Sequence, residues 1–209
     1  MFSVGALALV LGLHSPAVAQ SGPAGRELGA FASAWSAING YSARVAIFDE
    51  KGTQSQNLVF DYTFQKPSNV SVDIVTGPNA GVNLAWDGGS SVVAHHGSGL
   101  AAMFKKTVSL HDPLVTTLQG SSIDQLSFGA ILAHGQTVPG TLSETSGETI
   151  DGVATNAVTL VVADPAANAG LTREVLELST LTNLPMRVLG YQGSALVRKV
   201  DFSDVKVRV

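Results

Sequence analysis

Apolar residues recur along most of the chain with one of two periods, and the changes of period mark the elements. After Gly22-Pro23, Leu28, Phe31, Trp35 and Ile38 follow at steps of three and four, the stripe of a short helix that Asn39-Gly40 stops. From Tyr41 the period becomes two. Val45 and Ile47 share a face, and Glu50-Lys51-Gly52 turns the chain. Leu58, Phe60, Tyr62 and Phe64 then alternate with Val59, Asp61 and Thr63 up to Pro67, which cannot donate to a ladder. Val70, Val72 and Ile74 follow, then the Gly77-Pro78-Asn79 turn, then Val82, Leu84 and Trp86. Asp87-Gly88-Gly89 is a hairpin signal leading into residues 91–95. The pattern predicts four or five consecutive antiparallel strands with one apolar, aromatic face.

The middle of the chain changes character. Asp112-Pro113 reads as a cap and first-turn proline, predicting a brief helix that ends near Gly120. Ser122 with Gln125 fits a capping box, and Ile123, Leu126, Ala130 and Ile131 form the stripe of a second helix closed by Gly135. The two-residue period resumes after Gly140. Residues 148–151 and 153–162 flank Gly152, and 164–170 read as a loop. Leu176 and Leu178, then Met186 and Val188, then Leu196, Val200 and Phe202 predict three closing strands. The fold class is therefore α+β, one domain over residues 20–209, with a sheet of eight or more strands that must curl or close.

Before that domain, Val4 to Leu13 is an unbroken apolar run, too short for a bilayer core of ~30 Å. With His14-Ser15-Pro16 and Ala17-Val18-Ala19 it reads as a cleavable export signal over residues 1–19, although no Lys or Arg precedes it. A buried N-terminal helix is the other reading of that segment. Export places the protein in the periplasm, with no permanent membrane anchor.

Composition narrows the function classes. Only 13% of the 209 residues are charged, against ~25% in an average domain, and the net charge is -4. Sparse Lys and Arg argue against a nucleic-acid partner. The absence of cysteine excludes disulfides, thiolate zinc sites, a thiol nucleophile and an N-terminal acylated cysteine.

Little in the sequence points to catalysis. No G-x-S-x-G elbow or phosphate loop is present. Asp49, Glu50, Asp61 and Asp73 fall at strand edges and outer faces, giving no carboxylate pair. His95 and His96 are adjacent, so on a strand they point to opposite faces. His111 precedes the Asp112-Pro113 turn, and His134 sits in a helix's last turn, where positive charge is favoured. A metal site would need His95 or His96, His111 and an Asp to converge; the ordinary reading is solvated or capping histidines, without metal or cofactor. Lys105-Lys106 beside Leu100, Met103 and Phe104 reads as a solvated segment, with a membrane contact as the second reading.

The apolar face of the sheet either fills a solid core or leaves a cavity for an apolar ligand. Its candidate lining is Phe60, Tyr62, Phe64, Val72, Ile74, Leu84, Trp86, Leu176, Leu178, Met186 and Val188, with Ile123, Leu126 and Ile131 on the covering helices.

Five stretches stand out in order: residues 38–43 (INGYSA), 60–69 (FDYTFQKPSN), Trp86-Asp87-Gly88-Gly89 with Val92-Val93, 176–187 (LELSTLTNLPMR) and 200–205 (VDFSDV). Together they resemble the outer-membrane lipoprotein carrier family (LolA-like) and its lipoprotein-sorting relatives. The resemblance runs in order along nearly all of residues 20–209. It implies an unclosed β-barrel whose concave face is covered by a helical lid, binding a lipid or the acyl chains of lipoproteins without catalysis. Inner- or outer-membrane transport proteins would be its partners. In that family the residue before the proline is an arginine that holds the lid. Here it is Lys66, which keeps the charge without the planar fork, so the resemblance implies a latch and the residue alone a solvated strand end. An envelope protein-binding module with a filled core is the alternative function.

Overall fold

The computed structural model describes residues 23–97 and 105–209. The expected export signal, and Leu100, Met103 and Phe104, lie outside them. Helix α1 spans Pro23–Ser36. The strands that follow are β1 (Gly40–Lys51), β2 (Gln54–Gln65), β3 (Asn69–Thr76), β4 (Val82–Trp86), β5 (Ser91–His96) and β6 (Lys105–Ser109). After a crossover containing helix α2 (Phe128–Thr137) come β7 (Gly140–Ile150), β8 (Val153–Val162), β9 (Arg173–Ser179), β10 (Pro185–Gln192) and β11 (Ala195–Arg208).

Among the described residues these eleven strands form one antiparallel sheet in the order β6-β5-β4-β3-β2-β1-β11-β10-β9-β8-β7. The chain enters at the centre, winds out to one edge, crosses to the opposite edge and winds back beside its first strand. β6 and β7 do not pair, so the barrel stays open. Antiparallel neighbours need only short turns, and the sequence supplies them. Asp151-Gly152 joins β7 to β8 with φ of 50° and 79°, the positive pair a type I′ hairpin turn requires.

The period-two expectation holds from β1 to β4. Tyr41, Val45, Ile47, Phe60, Tyr62, Phe64, Val70, Val72 and Leu84 are buried on the helix-covered face. Arg44 pairs with Asp61, and Asn83 bonds Asp73, on the other face. Helix α1 buries Leu28 and Phe31. Arg26 Nη2 lies 2.6 Å from Glu144 Oε1 on β7, and Asn156 of β8 donates to Glu27 at 2.9 Å, fixing the start of α1 over that end of the sheet. Gly129 of α2 allows the two helices to approach: a Cβ there would lie 2.9 Å from Cζ2 of Trp35.

Two expectations are corrected. The segment after Asp112-Pro113 is a series of turns, not a helix, because tertiary partners take its amides. Leu118 N–H donates to Gln56 Oε1 at 2.8 Å and Gln119 N–H to Asp49 Oδ2 at 3.1 Å, while Thr116 bridges Ser122. The second helix is two pieces, a 3₁₀ turn over Ile123–Leu126 and α2. Ser127 is extended between them and caps α2 by accepting from Ala130 N–H at 3.1 Å, and α2 runs past Gly135 to Thr137. Lys105 and Lys106, read as solvated, are exposed and begin strand β6, paired along β5. Among the described residues no helix is long and apolar enough to cross a membrane.

Candidate functional site

The centre of the covered face is solid. Tyr41 and Phe128 stack with centroids 3.9 Å apart, and Phe31, Phe64, Tyr62 and Phe202 surround them. The two phenols also hold the crossover. Tyr62 Oη donates to the Ile123 carbonyl at 3.1 Å, and Tyr41 Oη accepts from Phe128 N–H at 3.2 Å. Burial pushes both phenols far up, so they stay neutral donors at any ordinary pH. Tyr62 and Phe64, with Leu176 and Leu178, belong to this packed core.

Two cavities flank it, separated by the crossover at Thr117, Ser121 and Leu126, which border both. The smaller, about 90 Å³, is lined by Phe60, Val72, Ile74 and Leu84 from the sheet and by Ile123 and Leu126 above. The larger, about 450 Å³, lies between α2, the crossover, the loop around Asn168 and strands β1, β9, β10 and β11. Its apolar wall is Ile47, Leu126, Ile131, Leu171, Val188 and Val200, and its polar wall includes Gln119, His134, Glu174 and Arg198.

Of the residues proposed from sequence, Val188, Leu126 and Ile131 therefore meet at the larger cavity, and Phe60, Val72, Ile74, Leu84 and Ile123 at the smaller. Trp86 is half-buried against the core, donates to the Gly89 carbonyl at 2.6 Å and borders a separate groove with Thr63, Gln65 and Asp87. Met186 is half-buried and lines neither inner cavity. Lys66 is half-buried rather than solvated. Its Nζ donates to the Trp35 carbonyl at 2.6 Å, at the C-terminal end of α1, and lies 4.4 Å from the centre of the indole.

The polar wall was not recognised in the sequence. Asp49, expected at a strand edge or outer face, is fully buried on the inner one. Its Oδ1 lies 3.2 Å from Arg198 Nε. Opposite, Glu174 Oε2 lies 2.7 Å from His134 Nε2 and accepts from Asn168 Nδ2 at 3.1 Å. Parity was the available signal: Asp49 continues Val45 and Ile47, Arg198 continues Phe202 and Val200, and Glu174 continues Leu178 and Leu176. Among the described residues no three His, Asp or Glu side chains converge as a metal site.

The His134–Glu174 pair ties the last turn of α2 to β9. Glu174's hydrogen bond raises the imidazole, against burial and the Arg198 charge. Burial raises the Glu174 carboxyl, but His134, Asn168 and Arg198 together hold it below the usual carboxylate range. A raised histidine adds stability that is complete below its unfolded value and lost as pH climbs through the folded one. A depressed carboxyl adds stability that is lost as pH falls through its folded value. The stability difference between the protein and His134→Gln, followed by urea midpoint, should therefore be greatest between 4.5 and 6.5, the two ordinary values, and shrink on either side.

No family model matches the chain, and no curated protein matches it in sequence. Solved structures do. The chain is similar to a lipoprotein-sorting protein domain from Vibrio parahaemolyticus described as outer-membrane, at 11% identity over 89% of this chain and 94% of the other, with a TM-score of 0.42. A LolA superfamily protein from Nitrosomonas europaea is similar at 15% identity over 89% and 94%, with a TM-score of 0.38. The lipoprotein LppX of Mycobacterium tuberculosis is similar at 13% identity over 86% and 93%, with a TM-score of 0.44.

Proposed function

We propose that the protein is an exported, non-catalytic carrier of the bacterial envelope. It would bind the acyl part of a lipid or lipoprotein between its open sheet and the α2 lid, as a divergent member of the carrier family its motifs resemble. The larger cavity carries this reading. At about 450 Å³ it falls within the ~300–1,000 Å³ usual for small-molecule sites, and it sets an apolar wall beside a polar one, which suits an amphiphile. Lys66 then acts as a latch on α1, and the His134–Glu174 bond as one on α2. Inner- or outer-membrane transport proteins remain the proposed partners for loading and release.

Ala130 is half-buried on α2 and lines the cavity, so Ala130→Trp would place an indole in that space without disturbing the sheet. The fluorescent probe N-phenyl-1-naphthylamine should bind the unaltered protein and bind the variant roughly tenfold or more weakly, with little change in melting temperature. Equal binding by the two proteins would refute the assignment of this cavity.

The filled centre favours a second reading. The stacked Tyr41 and Phe128 leave no room for a long chain along the middle of the sheet. An envelope module that binds another protein would then show no probe binding and a crosslinked partner.

A further inference from the structure

The polar wall bears on the ligand's head group, and the inference drawn from it rests on the carrier reading. Arg198, His134 and Glu174 stand there, with Asp49 buried behind Arg198, and the four groups are already matched in pairs. Asp49 has no solvent exposure; its Oδ1 faces Arg198 Nε at 3.2 Å and its Oδ2 accepts Gln119 N–H at 3.1 Å. Glu174 is bonded by His134 at 2.7 Å and by Asn168 at 3.1 Å. With His134 protonated the cluster is neutral, and with it unprotonated the cluster carries one net negative charge. A bare anion has no spare cation to meet. Among the described residues Arg198 is the only Lys or Arg on this cavity, and taking it would leave Asp49 buried without its counter-charge. Uncharged hydrogen-bonding capacity, by contrast, is available. The hydroxyl of Ser121 and the amides of Gln119 and Gln125 line the same wall.

We propose that the cavity selects amphiphiles whose polar head is uncharged, a hydroxyl, ester or amide, and discriminates against carboxylate and phosphate heads. The uncharged head meets Ser121, Gln125 and the neighbouring polar side chains while the chain lies on Ile131, Val188 and Val200. Asp49 and Glu174 are then specificity-determining, because they consume or oppose the charges an anion would need.

The test is titration calorimetry of the intact protein with monolaurin and with laurate, equal in chain length and differing in head charge, at neutral pH. Monolaurin should bind about tenfold or more tightly. Asp49→Asn frees Arg198, and Glu174→Gln, at a site with 13% side-chain exposure, removes the opposing charge; each should narrow the ratio by strengthening laurate. Equal or tighter laurate binding by the unaltered protein would overturn the selectivity and leave the carrier function standing. An unchanged ratio in both variants would overturn the role of the charge cluster. Binding of neither amphiphile would overturn the carrier function itself.

Discussion

Phe128→Ala should lower the stability of the protein by about 3–5 kcal/mol, the usual range for removing a buried phenylalanine. Phe128 has no solvent exposure and is the first residue of α2. Its ring stacks on Tyr41 at 3.9 Å, meets Phe202 edge-on at 5.3 Å and reaches Phe31 of α1 at 6.5 Å. It therefore joins the central strands and both helices. Removing it leaves a void that the sheet ladder prevents from collapsing, because Tyr41 and Phe202 sit on paired neighbours held by main-chain bonds. For a domain of this size the loss corresponds to a fall of roughly 6–20 °C in melting temperature. Phe128→Leu keeps most of the volume and should cost less than half as much. If Phe128→Ala melts within a degree or two of the parent, the centre is not packed as described.

Arg198→Ala should be the second large effect, near 3 kcal/mol. Breaking a buried ion pair from one side typically costs about 3–5 kcal/mol, because a charge is left without compensation. The lower end applies here, since the Arg198 side chain keeps 15% exposure while Asp49 keeps none. Gln119 N–H would be the only remaining partner of the Asp49 carboxylate. The cost lies in the orphaned charge rather than in a lost attraction, so the double variant Asp49→Asn/Arg198→Gln should be more stable than Arg198→Ala alone. Urea denaturation of the three proteins checks this order. A double variant less stable than the single one would show that the pair itself contributes net stability.

The sheet was legible wherever alternation was strong and the turn chemistry explicit. β2, with Phe60, Tyr62 and Phe64, and the closing strands around Leu176, Val188 and Val200 are where the period places them. β6 was missed because KKTVS presents a single apolar residue, Val108, to the core. A five-residue edge strand is held mainly by its backbone partner, which no local pattern displays. The Asp112-Pro113 signal misled because the amides of Leu118 and Gln119 are captured by Gln56 and Asp49, more than sixty positions away. Tertiary partners decided that segment over local propensity.

The candidate site was legible in outline only. An apolar face under a helical cover could be read from periodicity, but periodicity does not say which part of that face is filled. Tyr41 and Phe128 close the centre, so open space remains only to the sides. The polar wall lay in plain view as charged residues at inward parity, Asp49, Glu174 and Arg198. Asp49 reads from its surroundings as a strand-edge or outer-face carboxylate because the partner that tolerates its burial, Arg198, lies on a strand about 150 residues later.

In the carrier reading an amphiphile lies in the cavity beside α2 and not along the aromatic centre. Isotope-filtered NOE spectroscopy on methyl-labelled protein with unlabelled monolaurin distinguishes the two positions. Cross-peaks from the alkyl chain to the methyl groups of Ile131, Leu171, Val188 and Val200 are the predicted result, with none to Val70, the cross-strand partner of Phe64. Bound monolaurin that contacts Val70 and leaves those four methyl groups silent would contradict it.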